Sequence, residues 1–195
     1  MKKLYTFSIG LIVLLLMAAS ASAASDSKTS GSGADGYATW DFTNDDGQSI
    51  YAYIDVYENP DGSTDIYLGF SYYDANEVYH AFWGDMTTTD DVFTVDKKLA
   101  SASLSEVLVD GDYYNSVTGY SSGTATIKVD WTGVEDITKI AYTVKDGTFY
   151  SVKGTSRDAI ATGSFIDAEG NDLIGEESTD DANIELFNFL EIIRK

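Results

Sequence analysis

The side chains that could do chemistry in this 195-residue chain are unevenly supplied: 32 Asp and Glu, 14 Tyr, a single His and no Cys. A catalytic triad or a Zn²⁺ site would have to centre on His80, and one His is a poor basis for either. Thiolate nucleophiles, thiolate metal sites and disulfides are excluded. The run Gly119-Tyr120-Ser121-Ser122-Gly123 lacks the Lys and the following helix of a phosphate loop. Carboxylate and phenol chemistry remain. Two carboxylates about 5–9.5 Å apart can hydrolyse a glycosidic bond, and Glu77 is the candidate for such a role.

The phenols are better organised. Tyr51, Tyr53, Tyr57, Tyr67 and Tyr73 alternate with aliphatic residues in Ile50 to Tyr73, with Asp55 and Asp65 among them. A Tyr ring offers an apolar face to sugar C–H groups, and hydroxyls and carboxylates bond the sugar hydroxyls. The same surface suits a protein partner. Tyr51, Tyr53, Asp55, Tyr57, Tyr67 and Tyr73 are therefore the candidate ligand-binding set. Cross-strand packing is the plainer use of the same residues.

A hairpin must position them. Asn59-Pro60-Asp61-Gly62 holds the only Pro of the chain. Pro60 pre-sets the first loop dihedral, and Gly62 supplies the left-handed residue of a three-residue loop flanked by Asn59 and Ser63. The register follows. Val56 faces Ile66, Ile54 faces Leu68, Ala52 faces Phe70 and Ile50 faces Tyr72. On the other side Tyr57 faces Asp65, Asp55 faces Tyr67, Tyr53 faces Gly69 and Tyr51 faces Ser71. Turn chemistry and apolar pattern agree on it.

The next strand, Glu77 to Gly84, depends on its turn. A two-residue turn at Ala75-Asn76 sets Leu68 against Trp83 and buries the indole. A three-residue turn sends His80 and Phe82 inward and leaves Tyr79 and Trp83 on the aromatic face. Burying Trp gains more apolar area than burying His, so the two-residue turn is expected.

Before the hairpin, Met1 to Ala24 has the basic start, the apolar run Ile9 to Met17 and the Ala21-Ser22-Ala23 site of a secretory signal peptide, with cleavage expected after Ala23. That run falls short of the roughly 20 residues of a membrane span, and no later segment is long enough to cross. Residues 24–36 read as a flexible Ser/Gly linker, and 37–195 as a single domain. Loss of Lys2 and Lys3 with the leader takes the formal charge from −20 to −22. Such a surface repels nucleic acid and anionic lipid and suits a high-salt habitat, where self-repulsion is screened.

After the hairpin, short alternating segments follow: Val92 to Val95, Leu99 to Val109, Thr124 to Trp131, Ile137 to Lys145, Thr148 to Lys153 and Ala159 to Asp167. Asp146-Gly147 marks a hairpin. Asp110 to Gly123 reads as a long Gly/Ser/Tyr/Asp loop. Asn183 to Lys195 fits helix or strand, and the all-β context favours the strand. Nine to eleven strands without crossover helices predict an antiparallel β-sandwich, jelly-roll or Ig-like.

No cofactor is expected. The oxygen-rich loops Asn44-Asp45-Asp46, Asp90-Asp91, Asp110 to Asp112 and Asp180-Asp181 would suit no more than a weak structural Ca²⁺. Asp167 to Asp172 has Gly at its fourth position rather than its sixth and reads as a turn. The expected role is a secreted or cell-envelope-associated, non-catalytic binding or structural protein, engaging glycan or extracellular protein through its Tyr-rich face. The alternatives are a small polysaccharide-active hydrolase and a surface or filament subunit.

Overall fold

A computed structural model describes residues 27–45, 47–146 and 148–193. The expected signal peptide and cleavage site lie outside them, as do Asp46 of the Asn44-Asp45-Asp46 stretch and Gly147 of the expected Asp146-Gly147 hairpin. Ten strands account for most of the described residues: β1 (Ser27–Thr43), β2 (Ser49–Glu58), β3 (Thr64–Tyr73), β4 (Tyr79–Thr88), β5 (Phe93–Val95), β6 (Ser101–Asn115), β7 (Gly119–Gly133), β8 (Thr138–Asp146), β9 (Thr148–Ile166) and β10 (Ser178–Ile193). Every pairing is antiparallel, and the described residues contain no helix.

Hydrogen bonding joins all ten strands into one sheet, where two facing sheets were expected. The path β10-β1-β2-β3-β4-β6-β7-β9 returns on itself because β10 also pairs with β9. The length of β9 allows this. One edge bonds β10, while the other bonds β8 through residues 148–156 and β7 through residues 159–166. Thr148 to Lys153 and Ala159 to Asp167, read as two strands, are this one. Register shifts between Leu104 and Val107 and between Thr179 and Ala182 add local bend.

The face turned inward carries the main core. Ile54, Ile66, Leu68, Ile127, Val129 and Phe165 are fully buried there. Both inner indoles are satisfied: Trp40 Nε1 donates to the Glu177 carbonyl at 3.2 Å and Trp131 Nε1 to the Tyr37 carbonyl at 2.9 Å. The hairpin register around Pro60 is the expected one, pair for pair. Asn59 N–H donates to the Ser63 carbonyl at 2.7 Å, and Gly62 holds φ +84°.

The β3–β4 turn overturns the favoured register. Tyr72 faces His80, Phe70 faces Phe82 and Gly69 faces Trp83, so Phe82 is buried and Trp83 is 44% exposed. The loop is Ala75-Asn76-Glu77, closed by Asp74 N–H donating to the Val78 carbonyl. Its left-handed residue is Glu77, at φ +61°. Asp74 Oδ1 makes this possible by accepting from the backbone N–H groups of Asn76 and Val78. It is the Pro60 loop again, with the Gly signal missing.

Two further expectations give way to packing. Asp110 to Gly123 is not a loop. β6 and β7 run through it, turning only at Ser116–Thr118. A Cβ on Gly84 or Gly111 would lie 2.8 or 2.7 Å from the Phe82 ring, so these glycines make room for an inward Phe. Likewise, residues 27–36 of the expected linker are strand, paired with β10. A Cβ on Gly31 would lie 2.4 Å from Pro60 Cβ, and one on Gly33 2.7 Å from the Phe187 ring. Residues 183–193 form strand, as expected.

Candidate functional site

The outward face of β1 to β4 carries the phenols in rows fixed by the ladders. One row runs Thr39, Tyr53, Gly69, Trp83, Asp112 across β1, β2, β3, β4 and β6. The next runs Asn183, Tyr37, Asp55, Tyr67, Asp85. A third runs Ser156, Glu185, Asp35, Tyr57, Asp65.

The first row builds an aromatic platform. Gly69 has no side chain, and the Tyr53 ring covers it, 2.6 Å from where a Cβ would stand. Trp83 borders the same glycine from the other strand. Tyr51 lies beside Tyr53 with ring centroids 6.2 Å apart, and Tyr51 is 42% exposed. Tyr53 and Tyr67 are half-buried. Burial raises the pKa of all three phenols, aided at Tyr53 by Asp55 and at Tyr67 chiefly by Asp65 and Asp85. The phenols therefore stay neutral donors at ordinary pH.

Of the expected set, Tyr51, Tyr53, Asp55 and Tyr67 are brought together and Tyr57 and Tyr73 are not. Tyr57 is buried in a second, smaller core on this outward face, stacked on Phe187 at 5.4 Å with Tyr150, Val152 and Phe189 nearby. Tyr73 belongs to a separate ridge of rings with Tyr79, Tyr114 and Tyr120, at centroid separations of 5.1, 6.3 and 4.8 Å. Trp83 was lost to the favoured register, and the three-residue turn was the signal that placed it here.

Asp55 joins two carboxylates that the sequence reading did not single out, Asp35 and Glu185. Asp35 is 2% exposed, and its Oδ1 has no hydrogen-bond partner. Burial first, then the charges of Asp55 and Glu185, push its carboxyl well above the ordinary carboxylate range. Burial and Glu185 hold Asp55 at about 6. Burial also raises Glu185, against the opposing hydrogen bond from Ser156. The hydroxyl of Tyr57 is buried without a partner near Asp35. Asp35 was hidden inside the apparent linker. Glu185 was masked by Phe187 and Phe189, which make its side of β10 read as apolar.

His80 lies apart from this platform, stacked on Tyr72 at 4.8 Å, touching the Tyr113 hydroxyl and 3.4 Å from Asp74. Glu77 is an exposed turn residue. Among the described residues no group of three or more Asp, Glu or His side chains is arranged to hold a metal ion. Asp167 instead shapes its own turn, accepting from the N–H groups of Glu169 at 3.0 Å and Asn171 at 2.8 Å. Compared with protein-family models, with curated proteins and with solved structures, the chain finds no match.

Proposed function

We propose that this is a secreted or cell-envelope-associated, non-catalytic binding protein whose outward platform of Tyr51, Tyr53, Tyr67 and Trp83 engages carbohydrate. The exposure of Trp83 beside the Tyr53-covered glycine carries the reading. A large aromatic ring left in water on a sheet face contributes little to folding, and it is the side chain best suited to stack on a sugar ring. Asp55, Asp85 and Asp112 border the rings and supply acceptors for sugar hydroxyls. A glycan panel tests this. Retention should fall at least tenfold in Trp83→Ala and Tyr53→Ala with the melting temperature nearly kept. No retention of any glycan by the native chain would contradict it.

One observation favours a second reading, the hydrolase. Asp55 keeps its carboxyl near 6 within reach of two further carboxylates, the condition of a general acid. Release of reducing sugar that is lost in Asp55→Asn would establish it. Glu77→Gln should leave such an activity untouched.

A further inference from the structure

Beyond the eight-strand ring, β8, the first half of β9, the second half of β10 and the start of β1 form an arm. The small core of Tyr57, Tyr150 and Phe187 covers one face of it. The other face is open. Lys145, Phe149, Ile192 and Lys28 form one row across it, charged at both ends and apolar in the middle. Lys139 stands in the row of Leu186, and Lys153 lies between Ala141 and Asn188. The four lysines are exposed, and Phe149, Leu186 and Ile192 are half-buried.

No Asp or Glu stands on this face of the four strands, in a chain with 32 acids and 12 bases; the neighbouring carboxylate is Glu58 on β2, which ends the Lys139 row and lines one hollow with Lys153. Among the described residues the only ion pairs are His80–Asp74 and Lys128–Asp130, so none of these lysines is spent on a carboxylate there. Lysines on an edge strand deter edge pairing, which accounts for Lys139 and Lys145 on β8. It does not account for Lys153, since β9 is paired on both sides.

The complementary surface is on the same molecule. Asp85 on β4 and Asp110 and Asp112 on β6 are exposed on the outward face, beside Leu108, which is 61% exposed. We propose that the lysine face docks on this acidic face of a second copy, head to tail. The two surfaces differ, so the contact does not close on itself and extends into a chain of subunits. The proposal goes beyond glycan recognition and does not depend on it, although Asp85 and Asp112 also border the aromatic platform, so a docked copy and a bound glycan would compete for that face. Four strands spaced about 4.8 Å apart make a small patch, in the class of weak, concentration-dependent contacts.

Sedimentation velocity of the full chain at about 0.5 mM and about 0.1 M salt tests it with charge swaps. The native chain should form oligomers that grow with concentration. Lys139→Glu with Lys153→Glu should weaken association at least tenfold, and so should Asp110→Lys with Asp112→Lys. The chain carrying all four substitutions should associate again, because the charges are complementary once more. Circular dichroism confirms that each variant is folded. A native chain that stays monomeric, a lysine swap without effect, or a fourfold variant that fails to associate would each overturn the proposal. A monomer that sediments with phosphatidylglycerol vesicles would overturn it too, by assigning the face to an anionic lipid surface.

Discussion

Asp35 on β1 lies directly opposite Glu185 on β10, two carboxylates side by side on the outward face and both buried. Neither gains a cationic partner, since the described residues hold no ion pair to either. With Asp55 on the neighbouring strand, the group can be folded cheaply only by holding protons.

Stability should therefore rise on mild acidification. Asp35, Asp55 and Glu185 have folded pKa values raised above their ordinary ones. Their protonated forms favour the fold, fully below the ordinary carboxylate range, and each contribution is lost as pH rises through that group's folded pKa, about 6 for Asp55. Asp61 and Asp74 act oppositely: loop hydrogen bonds lower their carboxyls, so their contribution is lost as pH falls below 3.8. Thermal melts should peak between about pH 4 and 6 and fall by roughly 5 °C or more by pH 8. Asp35→Asn should raise the pH 8 value and flatten the curve. Melts unchanged from pH 5 to 8 would contradict this.

The β3–β4 register separates two neighbouring aromatics. Phe82→Ala should cost about 3–5 kcal/mol because it empties a core site. Trp83→Ala should cost clearly less, because Trp83 is 44% exposed. Urea titration of both variants reads the difference, and the reverse order would restore the register in which Trp83 is buried.

Glu77 holds a left-handed conformation that costs a side-chain-bearing residue about 1 kcal/mol. Glu77→Gly should raise stability by a few tenths to about 1 kcal/mol, the gain reduced by the entropy of Gly in the unfolded chain. A loss of stability in calorimetry would show that the loop is not the one described.

Gly33 tests the ordering of the apparent linker. An added Cβ would meet the Glu58 carbonyl at 2.4 Å and the Phe187 ring at 2.7 Å. Gly33→Ala should lower stability by about 1–3 kcal/mol. A neutral effect would mean that this segment is not packed strand.

Local chemistry made half of the fold legible. The Pro60 hairpin was readable because loop residues and alternation specified one register, and β7 because Ala125, Ile127, Val129 and Trp131 alternate cleanly. Sequence alone failed where glycine means space rather than flexibility. Gly31 and Gly33 make room for Pro60 and Phe187, and Gly84 and Gly111 for Phe82, and these neighbours are known only once distant strands have paired. The single sheet was illegible for the same reason, since closure depends on β9 changing partners along its length. The platform's tyrosines were visible, whereas Trp83 hung on a turn whose left-handed residue is Glu.

Three Trp residues make the binding surface directly observable. Trp40 and Trp131 are 1% exposed and Trp83 is 44% exposed, so solvent-sensitive emission belongs to Trp83. Titrating the native chain and Trp83→Phe with soluble oligosaccharides, while following fluorescence, isolates that one ring. A saturable blue shift in the native chain, absent from Trp83→Phe, is the expected result. Saturable binding that leaves the Trp83 emission unchanged, or that persists in full in Trp83→Phe, would contradict a carbohydrate site on the outward platform.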